Sequence, residues 1–427
     1  MKLWDKGVSI DKTIEAFTVG DDRDIDLYIA KYDLQASLAH AKMLAHIGIL
    51  DKGELEQVER AIGKLLEEEK RGIFKIENQF EDVHSKIEHE LTQRIGTAGK
   101  KIHTARSRND QVLVALQLYY KDNLKSIQKQ VKVLFDTLLN LAEQHKSELL
   151  PGYTHLQVAM PSSFGLWFSA YAESLIDDVI VLQSAQKVVD QNPLGSAAGY
   201  GSSFPIDREM TTELLNFSDL KYNVVSAQMS RGKNEQIIAS SLGNLAFTLS
   251  KFAMDICLYM SQNFDFISFP EELTTGSSIM PHKKNPDVFE LIRGKCNIIQ
   301  SLISEFNSIS INLTSGYHRD LQLYKGKIIE SIIDIKNCLE IFNYSINKII
   351  IRKNILDDDK YKYVFSVENL NELVNSGYSF RDAYLKISDD IKNDNYIPKK
   401  DFNHTLKGSI GNLCLKEIEI KMKKAFN

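Results

Sequence analysis

The chain has 427 residues, enough for two to four domains, and a net charge of −5 that leaves no basic footprint for nucleic acid. Apolar and charged fractions of 43% and 26% are those of a soluble globular protein. Four cysteines (Cys257, Cys296, Cys338 and Cys414) lie far apart, which argues against a disulfide framework or a metal knuckle and for reduced, buried thiols.

The amino terminus, Met1 to Gly7, lacks the apolar core of a signal peptide, and no uninterrupted apolar run approaches a membrane span. A cytoplasmic location is expected, with no membrane contact. With only eight prolines in the chain, long helices are permitted. The first segment predicts helices over Ile25–Leu50 and Lys52–Glu69. His84 and His89 have acidic neighbours, but their spacing is not that of a zinc helix, so no metal is expected. No glycine-rich phosphate loop follows a strand, and no cofactor is expected.

His103-Thr104-Ala105-Arg106-Ser107-Arg108-Asn109-Asp110-Gln111 opens the first long helix. Ser107 as N-cap with Asp110 as its capping-box partner is a structural account of two of these residues. Arg106, Asn109 and Gln111 are left without a purpose by it, whereas arginines at a helix N-terminus would bind carboxylates, with Asn109 adding directional hydrogen bonds. Leu116, Tyr120, Leu124, Ile127, Val131, Leu134, Leu138 and Leu141 then recur at alternating steps of four and three, the seam of a coiled-coil-like helix. Pro151-Gly152-Tyr153-Thr154-His155-Leu156-Gln157 reads as a loop carrying one histidine. Leu166–Asn192 is a helix apolar nearly all round, suited to burial in an assembly.

A helical run surrounds Asn244–Phe269. Then comes Thr274-Thr275-Gly276-Ser277-Ser278-Ile279-Met280-Pro281-His282-Lys283-Lys284-Asn285-Pro286. Gly276 is expected to bend this loop, Asn285 to cap the next helix and Pro286 to occupy its first position. A polar linker would account for the small residues but not for the two lysines. The next helix runs from Pro286 toward Ser315. A further segment, Tyr317-His318-Arg319-Asp320-Leu321-Gln322-Leu323-Tyr324-Lys325, precedes a second seam of Ile328, Ile332, Ile335, Leu339, Phe342, Ile346 and Ile349. Five long helices and no strand-period segment of comparable strength predict an all-α fold. The expected division is 1–103 as an amino-terminal helical domain, 104–355 as a central five-helix bundle with a loop near 272–286, and 356–427 as a short helical domain. That last part holds amphipathic pieces near Val367–Ser376 and Phe380–Asn393.

The serine loop, with Glu290 five residues after Asn285, resembles the Gly-Ser-Ser-x-Met-Pro-x-Lys-x-Asn pattern of the fumarase/aspartase superfamily of lyases. Thr104–Gln111 resembles the version found in its argininosuccinate-cleaving family, and Gly152–Gln157 is a pattern of the same family. The resemblance runs from about Trp4 to beyond Lys325. It implies elimination of fumarate from argininosuccinate to leave L-arginine, the last step of arginine synthesis, in a homotetramer whose active sites are shared between subunits. It implies Ser277 as the base that removes a carbon-bound proton, helped by Lys283 and the loop's backbone N–H groups. Asn285 would bind the carboxylate where charge develops, and His155, paired with Glu290, would donate the proton to the leaving group. Asp82, His84, Ser107, Arg108, Asn109, Thr154, Arg231, Ser278, Tyr317, Gln322 and Lys325 would contact substrate. Gly20 stands near where many relatives have a substrate-contacting serine, and His318 replaces a common asparagine. The alternatives are a sibling lyase releasing fumarate from another adduct, and a non-catalytic structural homologue.

Overall fold

In a computed structural model the protein is 66% helix and 6% strand, the all-α class expected. The structure describes residues 11–401 and 404–426, so Trp4, where the resemblance begins, lies outside them. A short helix, Lys12–Val19, precedes α1 (Ala30–His46), α2 (Lys52–Lys70) and α3 (Val83–Ile95). Next come α4 (Arg108–Gln144), the hairpin β1 (Leu149–Thr154) and β2 (Gln157–Ser163), and α5 (Phe164–Val189). The remaining long helices are α6 (Val224–Met260), α7 (Asp287–Ser310) and α8 (Leu323–Ile346). Three short ones follow: α9 (Ser366–Asn375), α10 (Phe380–Lys392) and α11 (Leu415–Ala425).

Both seams are buried as their spacing demands. All eight apolar residues of the α4 seam are in the core, as are the α8 residues Ile328, Ile332, Ile335, Leu339, Phe342 and Ile346. Fully burying one such side chain stabilises by about 1.5–3 kcal/mol, so these two rows account for much of what keeps the long helices in place. Ile349 lies beyond the end of α8 and is only partly covered. By length and composition α6 could cross a membrane, but 61% of its most apolar window is buried inside the protein, as in a core helix. Of the four free cysteines, Cys296 and Cys338 are buried and Cys257 and Cys414 are half-buried, a correction to the expectation of four buried thiols.

The chain forms two compact units, each assembled from three separated stretches. The first comprises Met1–Gln128, Val181–Asn244 and Ile298–Ile335. The second comprises Lys129–Ile180, Leu245–Asn297 and Lys336–Asn427, and has an aromatic core. There Tyr171 stacks on Phe252 at 4.0 Å, and Trp167 and Phe342 pack against the same ring at 5.1 and 4.9 Å. Asp255 accepts hydrogen bonds from both Trp167 Nε1 and the Tyr171 hydroxyl, which satisfies the polar ends of these side chains. A small satellite core of Leu370, Ala383, Ile387 and Tyr396 holds α9 to α10.

Three local features depart from the sequence reading. The loop carrying His155 is a β-hairpin: Thr154 pairs with Gln157, leaving His155 and Leu156 as a two-residue turn with φ of +54° and +58°. Positive φ at both positions is the I′ geometry usually met by Asn-Gly, and a side-chain-bearing residue there is strained. Gly276 has no positive φ, and a Cβ on it would meet open space, so the serine loop does not depend on it for its bend. Asn285 does not cap α7. Its amide donates to Thr275 Oγ1 and the Gly276 carbonyl, and its backbone bridges to Thr275. The first helical bond, from Glu290 N–H, goes to the Pro286 carbonyl, so Pro286 stands just ahead of Asp287.

Candidate active site

The first unit contains a cavity of about 510 Å³ whose walls carry eight of the residues expected to contact substrate: Asp82, His84, Arg108, Asn109, Arg231, Tyr317, Gln322 and Lys325. One wall comes from the facing starts of α3 and α4. Asp82 is the N-cap of α3, accepting from Ser85 N–H at 2.7 Å, and its other oxygen lies 3.4 Å from Arg108 Nε. Burial would raise the Asp82 carboxyl, but Arg108, His84 and the Ser85 hydrogen bonds hold it below the usual carboxylate range.

At the start of α4 the motif splits into two faces. Ser107 N–H donates to Asp110 Oδ1 at 2.9 Å, while Asp110 Oδ2 accepts from Gly195 and Ala197 N–H at 3.0 Å each. Asp110, fully buried, therefore pins the 195–197 turn to the helix start. Ser107 Oγ accepts from Asn109 N–H at 3.3 Å, a cap at the start of α4, and Ser107 does not line the cavity. Arg106 donates to Ser37 Oγ at 2.9 Å, and Gln111 donates to Asp33 Oδ1 at 3.2 Å. These two, left unexplained by the sequence, hold α1 from behind. Arg108 and Asn109 line the cavity.

Arg231 reaches the lining at a break in α6. Arg231 has ψ of 131° and Gly232 has φ of +83°, and a Cβ at Gly232 would come within 3.1 Å of Leu321 Cδ2. The break turns the Arg231 guanidinium so that NH2 donates to the Leu321 carbonyl at 3.2 Å, with Nε 3.7 Å from Glu235. Among the described residues, NH1 of Arg231 and NH1 of Arg108 are buried without a hydrogen-bond partner. A buried charged donor left unpaired costs more than about 1–3 kcal/mol, a cost that a hydrogen-bond acceptor such as a carboxylate would offset.

Lys325 lines the cavity and is ion-paired within it. It is buried between Asp22 at 2.8 Å and Asp26 at 2.5 Å, and the Gln322 amide donates to Asp22. Burial opposes its charge, but the two carboxylates hold the lysine above its ordinary value. Lys325 and Gln322 thus line the cavity as part of a network with Asp22 and Asp26, which line it too. Gln228 and Arg319 line it as well and were not singled out by the sequence. An acidic run, Asp21 to Asp26, was the available signal for the aspartates. Gly20 does not line this cavity, and His318 pairs with Thr314.

The remaining candidates lie in the second unit. Ser277 Oγ accepts from the backbone N–H of Ile279 at 3.3 Å and of Met280 at 3.2 Å. Two N–H dipoles on one hydroxyl oxygen favour negative charge there. Lys283, whose N–H donates to the Met280 carbonyl at 3.0 Å, and Ser278 are exposed on the same loop. Glu290, in the first turn of α7, is exposed and 3.9 Å from Arg293. His155 and Thr154 are exposed at the hairpin tip. No hydrogen bond joins His155 to Glu290 within the described residues of one chain, so the expected pair is not an intrachain feature.

A sequence model of the family described as "Lyase" matches residues 6–301. The chain is 53% identical to a protein named argininosuccinate lyase from Bacteroides fragilis over 423 residues, 99% of this chain and 95% of that one. To a protein of the same name from Thermotoga neapolitana it is 42% identical over 388 residues, covering 91% and 98%. The fold is shared with EDDS lyase in complex with formate, at a TM-score of 0.75, 19% identity and coverage of 98% and 90%. It is shared too with class II fumarase from Schistosoma mansoni, at a TM-score of 0.75, 16% identity and coverage of 96% and 91%.

Proposed function

The chain belongs to the argininosuccinate lyase family, and on that premise we propose that it eliminates fumarate from argininosuccinate, reversibly, to leave L-arginine. The observation that carries this reading is the pair of buried, unpartnered guanidinium nitrogens of Arg108 and Arg231 on one cavity. The substrate carries three carboxylates, and the cavity offers both cations for them and the acids Asp22 and Asp26 for an ammonium group.

Elimination removes a proton from the carbon next to a carboxylate, and the carbanion's charge flows into that carboxylate. Ser277 is the base in this reading. Its alkoxide is too costly in water, and the Ile279 and Met280 N–H groups directed at Oγ lower that cost. Lys283 stabilises the doubly negative aci-carboxylate, and Asn285 binds the same group once the loop closes on substrate. His155, paired with Glu290, donates the proton that leaves with the guanidine. That pairing needs a second copy of the chain. The exposed Phe247, Met254, Leu291 and Ile298 on α6 and α7 supply apolar surface for the homotetramer we propose. The enzyme works in the cytoplasm without a cofactor.

The test is fumarate release, followed by ultraviolet absorbance, from argininosuccinate, adenylosuccinate, aspartate and malate. Turnover of argininosuccinate alone is expected. Turnover of a different adduct would keep the serine chemistry and overturn the substrate, and inactivity on all four would leave a non-catalytic homologue.

A further inference from the structure

The restart of α6 beyond Arg231 is held by one buried acid. Gly232, with φ of +83°, stands outside helical geometry, and the Glu235 carboxylate three residues on reaches back to accept its N–H at 2.6 Å. A glutamate in the third helical position satisfies the N–H of a helix cap in this way. The second half of α6 therefore begins as a new helix with Gly232 as its cap. Arg231, at ψ of 131°, is the last residue outside it. Glu235 also faces the Arg231 side chain, with Oε1 lying 3.7 Å from Nε.

α4 grips this break from both sides. Ahead of it, Gln117 Nε2 donates to Ser230 Oγ at 3.2 Å, and Ser230 Oγ donates to the Ala227 carbonyl at 2.6 Å. Beyond it, the Tyr120 hydroxyl donates to Glu235 Oε1 at 2.9 Å. Gln117 and Tyr120, three residues apart, are neighbours on one face of α4, and Gln117, Tyr120, Ser230 and Glu235 are all buried. Arg108 stands about three turns earlier on the same helix. One helix thus carries Arg108 and holds the segment that presents Arg231. Burying a carboxylate is costly unless it is paired and hydrogen-bonded, and an apolar side chain would serve packing alone at less cost. Glu235 meets that cost with a backbone N–H, a hydroxyl from α4 and the nearby guanidinium.

We propose that Glu235 is a positioning residue. Tied to α4 through Tyr120, it fixes the break in α6 so that Arg231 presents Nη1 to a substrate carboxylate at a set separation from Arg108. The inference rests on the cavity being the argininosuccinate site. Neither Glu235 nor Tyr120 lines that cavity, so both act on substrate only through the arginine.

The experiment is a double-mutant cycle on kcat/KM for argininosuccinate, with urea midpoints measured alongside. Arg231→Ala is expected to lower kcat/KM by about tenfold or more, the worth of a charge-assisted hydrogen bond. Glu235→Leu is expected to lower it by a similar factor, and the double variant to fall no further than Arg231→Ala alone. Losses that multiply would mean that Glu235 supports the fold at large, and that result overturns the inference. Wild-type kcat/KM in Arg231→Ala overturns it too, because Glu235 would then have nothing to act through. If Glu235→Leu fails to fold, Tyr120→Phe decides, since it removes a single hydroxyl. It is expected to lower kcat/KM by about threefold or more when Arg231 is present and not in the Arg231→Ala background. A Tyr120→Phe protein with a lowered urea midpoint and unchanged kcat/KM overturns the inference. Turnover by wild type combined with any of these contrary results refutes the inference only. Absence of argininosuccinate turnover in wild type refutes the functional reading and the inference with it.

Discussion

Asp110 is the residue on which the shape of the arginine-bearing helix start depends, and its replacement gives a graded prediction. Its two oxygens receive three backbone N–H groups, from Ser107, Gly195 and Ala197, and no part of the residue reaches solvent. Asp110→Ala strands all three donors. At about 1–3 kcal/mol for each buried group left unpaired, the loss is about 3–9 kcal/mol, lowered where water fills the space. Asp110→Asn keeps the shape but turns one oxygen into a donor. It can serve either the Gly195–Ala197 pair or Ser107, and its amide hydrogens then face the other donor, a loss of about 2 kcal/mol. Urea unfolding followed by far-ultraviolet circular dichroism should rank wild type, Asn and Ala in that order. The KM for argininosuccinate should rise in Asp110→Asn, because Arg108 and Asn109 begin the helix that the pin holds. An Asp110→Asn variant within about 0.5 kcal/mol of wild type would refute the reasoning.

Ser277→Ala should cut fumarate release by at least about a thousandfold with little change in the urea midpoint, since the side chain is a loop hydroxyl bonded only to two local N–H groups. Near-normal turnover would remove the serine from the role of base. Leu156→Gly relieves a positive φ at the hairpin turn and should stabilise by about 1 kcal/mol in urea unfolding. A loss of stability would mean that the exposed leucine is covered by another copy. His40 is fully buried with Nε2 2.9 Å from the Thr104 carbonyl, and burial first, then Arg106, pushes its pKa down to about 3. The unfolded chain therefore binds a proton that the folded one refuses between pH 6.5 and 3, so stability falls as pH drops through that window. From pH 6.5 to 5 this group contributes a loss of about 1.5 kcal/mol, which His40→Gln should remove. Equal acid sensitivity of the two proteins in urea titrations would refute it.

What could be read from the sequence, and what could not, follows the range of each interaction. The seams of α4 and α8 are legible because apolar spacing is a local property, and both rows are buried where predicted except at Ile349. The hairpin at Leu149–Ser163 escaped because its strands contain Pro151 and Gly152 and its turn lacks the usual glycine. α6 begins twenty residues before the run that announced it, and its break at Arg231–Gly232 has no apolar signature. Arg108 and Asn109 could be placed on a helix start from their neighbours. That Gln111 braces Asp33, 78 residues away, and that Lys325 is held by Asp26, 299 away, could not. Those partners are set by tertiary packing, and no pattern within a window of the chain reports them.

The first compact unit draws on Ile298–Ile335 as well as on the amino-terminal stretch. A ribosome adding roughly 5–20 residues per second therefore exposes Asp22, Asp26 and the apolar faces of the early helices for many seconds before Lys325 and α8 emerge to cover them. Vectorial synthesis cannot finish this unit early, and every incomplete nascent chain carries an unpaired acidic pair beside uncovered leucines. Messages truncated before that stretch should yield chaperone clients or protease substrates and no independently folded fragment. Sequence changes near residue 325 should accordingly be felt in yield before they are felt in turnover.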